Sequence, residues 1–374
     1  MKSQYTITAV LTTMSPLHIT QPGSHRVDLN GKTVSEKEGF PCPQTTKMWL
    51  SSRPVLSQLV DGDVGEPTAG QRPVPCIPAN SIRGQLRRQA ARSIMQGLLA
   101  KGEQLSIVAY NVLQCGAATG SPDSNPSTVE EAVMADGHPY FGLFGGGPRL
   151  IRSNLRVDTA LAITETSLPY LRAGFEGAVN SGQLTSVGWM RRNDDALQLT
   201  DLDMQRKVIR EAHEALNEHQ DAAMSAKKNA DTDATSDSDK VLSRFNALEY
   251  VRPGVHFALR LDLVGTEVQA GLLLDAVLGF LRANRIGGGG RRGFGRFMLQ
   301  SVTLNENGEL HSIGDRMTDE TAALKGRGAE LLAAWKQAQQ ELSAGEIESI
   351  SKPEAKKQPA AKKAKGKAAE TEKA

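Results

Sequence analysis

The sequence predicts an α+β fold, an antiparallel sheet with helices on one side in the ferredoxin-like plan, and three observations carry that prediction. A period-two stretch opens the chain, an arginine-bearing helix follows a long polar excursion, and an almost wholly apolar helix runs into a strand near the C-terminus. With the insertions set aside, the order is strand, helix, strand or strands, helix, strand.

In "MKSQYTITAVLTTM", Tyr5, Ile7, Ala9 and Leu11 alternate with Thr6, Thr8 and Val10, which predicts a first strand with at least one buried face. "SPLHI" closes or extends it. From Gln21 to Pro75 the chain is rich in Gly, Pro, Ser and charge, with short runs such as "MWLSS". It reads as a functional excursion with minor structure. In "IPANSIRGQLRRQAARSIMQGLLA", Asn80 or Ser81 is the expected N-cap, and Ile82, Leu86, Ala90 and Ile94 support a helix to about Leu99. Arg83 and Arg87 lie one turn apart, as do Arg88 and Arg92, so four arginines cluster near its start.

Past a Gly/Ser/Pro/Asn loop at Thr119 to Ser127, "PYFGLFGGGPRLIRSNLRVDTALAI" reads as a glycine turn into a strand from about Leu150 to Ile163. Leu168 to Asn193, broken by glycines and ending in "WMRRND", suits an exposed hairpin or arm. The segment from Thr200 to Lys228 is helical, with Thr200 and Asp203 resembling a capping box and Leu202, Ile209 and Leu216 at heptad spacing. "NADTDATSDSDK" has little to bury and predicts a mobile loop. "ALEYVRPGVHFALRLDLVG" reads as a strand broken or started at Pro253, and "EVQAGLLLDAVLGFLRANR" as a deeply buried helix. "RFMLQSVTL" is the final strand, and a last amphipathic helix spans about Ala329 to Leu342.

The totals narrow the function classes. Three widely spaced cysteines without CxxC or a Cys/His cluster predict a reduced, cytoplasmic protein and argue against structural zinc. No run reaches the length a membrane span needs. The formal net charge is +2, and the tail from Lys352 to Ala374, with eight Lys against three Glu, carries +5, which leaves the rest of the chain near −3. Any nucleic-acid site must therefore come from local clustering.

The densest cluster is "RANRIGGGGRRGFGRF". Gly288, Gly290 and Gly293 satisfy G-x-G-x-x-G, but a helix precedes and a strand follows, the reverse of the dinucleotide-binding context. No G-x-x-x-x-G-K-[ST], G-x-S-x-G or H-E-x-x-H occurs. Glycines admit a phosphate chain close to the backbone, bare N–H groups face anionic oxygens, and arginines add forked donors. The stretch is either a phosphate-backbone grip or a tight helix-to-strand turn. Phe294 and Phe297 are either strand core or stacking partners for a base.

"CIPANSIRGQLRRQAAR" resembles the "IPGSSLRGALR" signature of the repeat-associated RAMP superfamily, "RIGGGGRRGFGRF" its glycine-rich loop, and "SPLHIT" its "SGLHIG" segment. The resemblance covers Lys2 to Ile19, Pro75 to Leu99, Tyr140 to Ile163 and Glu249 to Leu304. "LEYVRPGVHFALRLDL" is similar to the backbone subunit of multisubunit CRISPR effector complexes, the seventh Cas family, and the long helical insertion is reminiscent of type IV. The resemblance implies an RRM-like palm at residues 1–20, 75–165 and 246–345, an inserted finger region at 21–74, and a thumb arm with helical insertion and mobile loop at 166–245. Beyond it, 346–374 would be a disordered Lys/Ala-rich tail. It implies RNA contacts at His18, Gln21, Asn80, Ser81, Arg83, Arg87, Arg88, Gly287, Gly288, Gly289, Gly290, Arg291, Arg292 and Phe294, with Met190, Arg191 and Arg192 on the thumb. The implied partners are a guide CRISPR RNA, a target DNA or RNA paired with that guide, further copies of the chain along the RNA, and the RNA-end-binding and large subunits. No cofactor or metal is implied. Ala79 and Asn80 replace the usual Gly-Ser.

Some relatives of type III cleave target RNA with a loop aspartate, and here "TQPGSHRVDLNG" offers only Asp28. A lone loop aspartate is commonly a turn former, and metal-assisted cleavage wants further ligands. The sequence thus favours a scaffold over its rivals, an endonuclease centred on Asp28 and a stand-alone RRM-like RNA-binding protein.

Overall fold

A computed structural model describes residues 2–28, 30–35, 39–51, 71–116, 128–147, 151–191 and 245–351. The predicted helix at Thr200 to Lys228, the loop after it, the loop at Thr119 to Ser127, and the chain beyond Ser351 lie outside these residues. In chain order, β1 (Ser3–Thr13) is followed by β2 (Thr20–Val27), β3 (Thr33–Val34), β4 (Phe40–Thr45), β5 (Lys47–Ser51) and β6 (Gln71–Ile77). Next come α1 (Ala79–Ala100), α2 (Ile107–Cys115), α3 (Val129–Gly137), α4 (Pro139–Phe144), β7 (Leu155–Val157), β8 (Ala160–Leu161) and β9 (Thr185–Arg191). The chain then runs through β10 (Phe245–Val251), β11 (His256–Gly265), α5 (Glu267–Ala283), β12 (Phe297–Glu306), β13 (Glu309–Met317), α6 (Arg327–Glu341) and α7 (Ala344–Ser351).

The main sheet has the order β13-β12-β1-β11-β7, antiparallel throughout. Within it, β1, α1, β7, β11, α5 and β12 make a β-α-β-β-α-β unit with β11 between β1 and β7, which is the ferredoxin-like plan. The period-two reading of β1 holds: Tyr5, Ile7, Ala9 and Leu11 are buried in the core under α1 and α5. On the opposite face, Thr6 donates to Asp262 at 2.6 Å, Thr8 bonds Thr303 at 2.6 Å, and Val10 and Ala258 are covered by Ile163 and Phe175.

The apolar helix α5 opens with a Thr266/Gln269 capping box and buries most of its residues. It packs antiparallel to α1: Gly279 faces Gln89, and Ser93 donates to Asp275 at 2.5 Å. Asp275 also accepts from Trp335 at 3.1 Å and pairs with Lys336 at 2.8 Å, so one buried carboxylate docks α6 onto both helices.

Several expectations are corrected. Pro78, not Asn80 or Ser81, is the N-cap of α1, without a side-chain cap bond. The strand expected from Leu150 to Ile163 is reduced to β7 and β8, because Asp158 and Thr159 turn the chain from β11 toward β6. The break expected at Pro253 is present, and the strands on its two sides belong to different sheets. The described residues of the excursion from Gln21 form the small sheet β3-β2-β4 and, with β8, a second one, β5-β6-β8. The tail expected from residue 346 begins with the end of α7, where Glu348 binds Ser106.

His138 caps α4: its Nδ1 accepts from the Tyr140 N–H at 3.1 Å, so Nε2 carries the proton and stays buried without a partner. Burial pushes its pKa down from 6.5 to about 4. Because the unfolded chain takes up this proton more readily, the stability His138 contributes is present above pH 6.5 and is lost as pH falls toward 4. Between pH 7 and pH 5 urea unfolding should lose about 2 kcal/mol that the His138→Asn variant does not lose.

Candidate nucleic-acid interface

The glycine stretch forms the connection between α5 and β12. Asn284 ends α5 in the left-handed conformation, φ 44°, and its Oδ1 accepts the Phe297 N–H at 2.8 Å, which pins the two ends of the loop together. Inside that clasp the backbone is laced to the strap Ser15 to Ile19. Gly288 N–H donates to His18 O at 2.8 Å, Gly295 N–H to Pro16 O at 2.8 Å, and Met14 N–H to Arg296 O at 2.8 Å. Two glycines are required by this approach. At φ 77° and 80°, Gly287 and Gly295 hold conformations that favour glycine, and a Cβ would overlap the carbonyl oxygens of His18 and Ile286.

What the lacing leaves open is the tip. The N–H groups of Gly289, Gly290 and Arg291 donate to no group among the described residues, and Gly287, Gly288, Gly289, Arg291 and Arg292 are exposed. The Arg285 guanidinium binds the Gly290 carbonyl. Consecutive bare amides flanked by arginines are a chemistry for phosphate.

The strap is held from its other side by the ribbon of β9 and β10. Leu17 bridges to Val251, and His18, 5% exposed, donates from Nδ1 to the Glu249 carbonyl at 2.7 Å while Nε2 meets Thr20 Oγ1 at 3.0 Å. The Glu249 carboxylate accepts the Thr45 N–H at 3.1 Å and pairs with Lys47. Gln21 bonds Gln44 at 2.8 Å and the Lys47 N–H at 3.3 Å. His18 and Gln21, expected to contact RNA, therefore bond protein groups of the frame around the strap.

The arginines of α1 divide onto two faces. Arg83 donates to Phe144 O at 2.8 Å, and Arg87 to Cys115 O at 2.9 Å and Phe144 O at 3.3 Å. They hold the C-terminal ends of α2 and α4, where carbonyls lack helical partners and the dipole is negative. Burial, then the neighbouring Arg87, lowers the Arg83 pKa. Arg88 and Arg92 are exposed on another face, and Asn80 and Ser81 begin the helix. Because α1 and α5 run antiparallel, with Gln89 against Gly279, the first turn of α1 stands at the same end of the molecule as the glycine loop. The structure thus places the two arginine-bearing segments at one end of the molecule but turns Arg83 and Arg87 toward protein.

Met190 and Arg191 pair with Asn246 and Phe245 in the ribbon, and Arg192 lies outside the described residues. Asp28 accepts the N–H groups of Asn30 at 2.8 Å and Lys32 at 2.9 Å, the behaviour of a turn former. Among the described residues no group of three or more His, Cys, Asp or Glu side chains is placed to hold a metal ion, and no helix is long and apolar enough to cross a membrane. Sequence reasoning missed Glu249, Lys47 and Tyr250, whose roles depend on contacts across more than 200 positions for the first pair. A lone acidic residue inside an apolar strand was the available signal for Glu249.

No curated protein matches the chain. A solved structure described as "Type IV-B CRISPR Complex" is similar over 81% of this chain and 90% of that chain, at 15% identity and a TM-score of 0.41. The model of the RAMP superfamily matches residues 10–298. That span contains the strap, α1, the ribbon and the whole glycine loop, and the chain belongs to the RAMP superfamily.

Proposed function

We propose that the chain is a guide-RNA-binding backbone subunit of a CRISPR effector complex, which grips the ribose-phosphate strand at the glycine loop and leaves the bases displayed for pairing with a target. The observation that carries this reading is the exposed loop tip, where the amides of Gly289, Gly290 and Arg291 stand open between Arg291, Arg292 and the end of α5. Amides and arginines bind phosphate without reading sequence, which a subunit that accepts any guide requires. Family membership and the order of the three signatures support the same reading.

The sheet face favours this over a stand-alone RRM-like protein. An RRM stacks bases on aromatics in its central strands. Here the outer positions of β1 and β11 are Thr6, Thr8, Val10, Ala258, Arg260 and Asp262, which are bonded to one another or covered. Asp28, spent on its turn, supports a scaffold rather than an endonuclease.

Copies would stack head to tail along one RNA, with the other effector subunits at its ends. Sizing the purified chain with its nucleic acid should give a large ribonucleoprotein of several copies on RNA of uniform length; a monomer without RNA would overturn the backbone reading. In the Arg291→Ala/Arg292→Ala double variant, affinity for single-stranded RNA should fall and the slope of log K against log salt should shrink by about 1.4, the release expected for two phosphates. An unchanged slope would reject the grip.

A further inference from the structure

We infer that Tyr250, together with Phe294, forms a stacking shelf for one base of the single strand held by the glycine loop, an assignment that rests on the reading above. The ribbon of β9 and β10 has one face buried: Val187, Trp189 and Ala247 pack with Val27 and Cys42 of the β3-β2-β4 sheet. The period of two puts Gly188, Leu248 and Tyr250 on the other face. There the Tyr250 ring lies over Gly188, where a Cβ would be 3.0 Å from its Cε1. The ring meets Phe294 edge to face, with centroids 6.3 Å apart and planes at 62°. Phe294 in turn lies over Gly289, 3.3 Å from where a Cβ would stand.

An apolar floor thus runs without a break from the ribbon, through two rings, to the first of the open amides. Both rings are partly exposed, and the Tyr250 hydroxyl bonds nothing among the described residues. Two rings set at an angle make a corner rather than a flat plate, so a base resting on one face meets the edge of the other ring. Aromatic faces accept any base, and only an unstacked base can reach them. The shelf therefore takes single-stranded nucleic acid in preference to duplex, with little base preference, and adds affinity that carries no charge.

The test uses the full chain and an oligouridylate carrying 4-thiouridine, with affinity read by fluorescence anisotropy over a series of salt concentrations. Tyr250→Leu keeps an apolar contact with Phe294 but removes the ring, and should weaken binding about 5- to 100-fold with the salt slope unchanged. Tyr250→Phe should bind like the parent chain; if it is as weak as Tyr250→Leu, stacking is wrong. If Tyr250→Leu binds normally while the Arg291/Arg292 double variant does not, the shelf is overturned and the grip stands. If neither change matters, the loop itself is not the site. Should Tyr250→Leu fail to fold, photo-cross-linking of the parent chain decides: adducts at Tyr250 or Phe294 support the shelf, and adducts confined to other segments reject it.

Discussion

Glu249→Ala is expected to destabilise the folded chain by about 3–5 kcal/mol, because it strands the Lys47 ammonium in a site prepared for an ion pair. The Lys47 and Glu249 side chains are only 19% and 9% exposed. The same carboxylate accepts the Thr45 N–H, and its own backbone carbonyl receives His18. Urea midpoints measure the loss. Adding Lys47→Met should restore much of it, since the penalty arises from the unpartnered charge and not from the missing attraction. Equal instability of the single and double variants would mean that the pair acts through packing. Cys42, at the same site, stays a thiol throughout, since burial pushes its pKa up to about 11.

The second large effect is expected at Gly295→Ala. Its φ of 80° disfavours any side chain, and the added methyl would run into the Ile286 carbonyl, whose own amide donates back to Gly295 O at 3.1 Å. Strain and overlap together should cost about 3 kcal/mol and abolish RNA binding by unlacing the loop. Gly293→Ala is the matched control: its φ is 82°, but nothing lies within 4 Å of a Cβ there, so only the backbone strain, about 1 kcal/mol, is expected. Thermal unfolding and RNA affinity measured on both variants separate close approach from conformation. Equal effects would mean that the lacing to Pro16 and Ile286 is unimportant.

Much of the main sheet and its helices was legible because these elements announce themselves locally. The alternation at Tyr5 to Leu11 could satisfy only a half-buried strand, and the leucines of α5 only a buried helix. The glycine loop stood out as a candidate site because glycines and arginines together have few other uses. The partners of Arg83 and Arg87 were not: a helix face carrying arginine has the same pattern whether it meets phosphate or the carbonyls of Phe144 and Cys115. Nor did any local pattern reveal β13, whose buried residues are few and whose pairing with β12 comes from the Asn307-Gly308 turn. The extent of the two small sheets escaped notice for a related reason, since β4 contains Pro41 and Pro43 and is held by pairing with β2 and packing on the ribbon rather than by its own propensity.

The strap and the glycine loop are joined mainly through peptide groups, Pro16 O, His18 O and Arg296 O among them, with one side chain, Ser15, accepting the Arg296 N–H at 2.9 Å. A saturation mutagenesis screen should therefore find this junction permissive at Met14, and intolerant at the two positions where even a methyl does not fit. Natural drift could rewrite its lettering extensively while the shape of the cradle persisted.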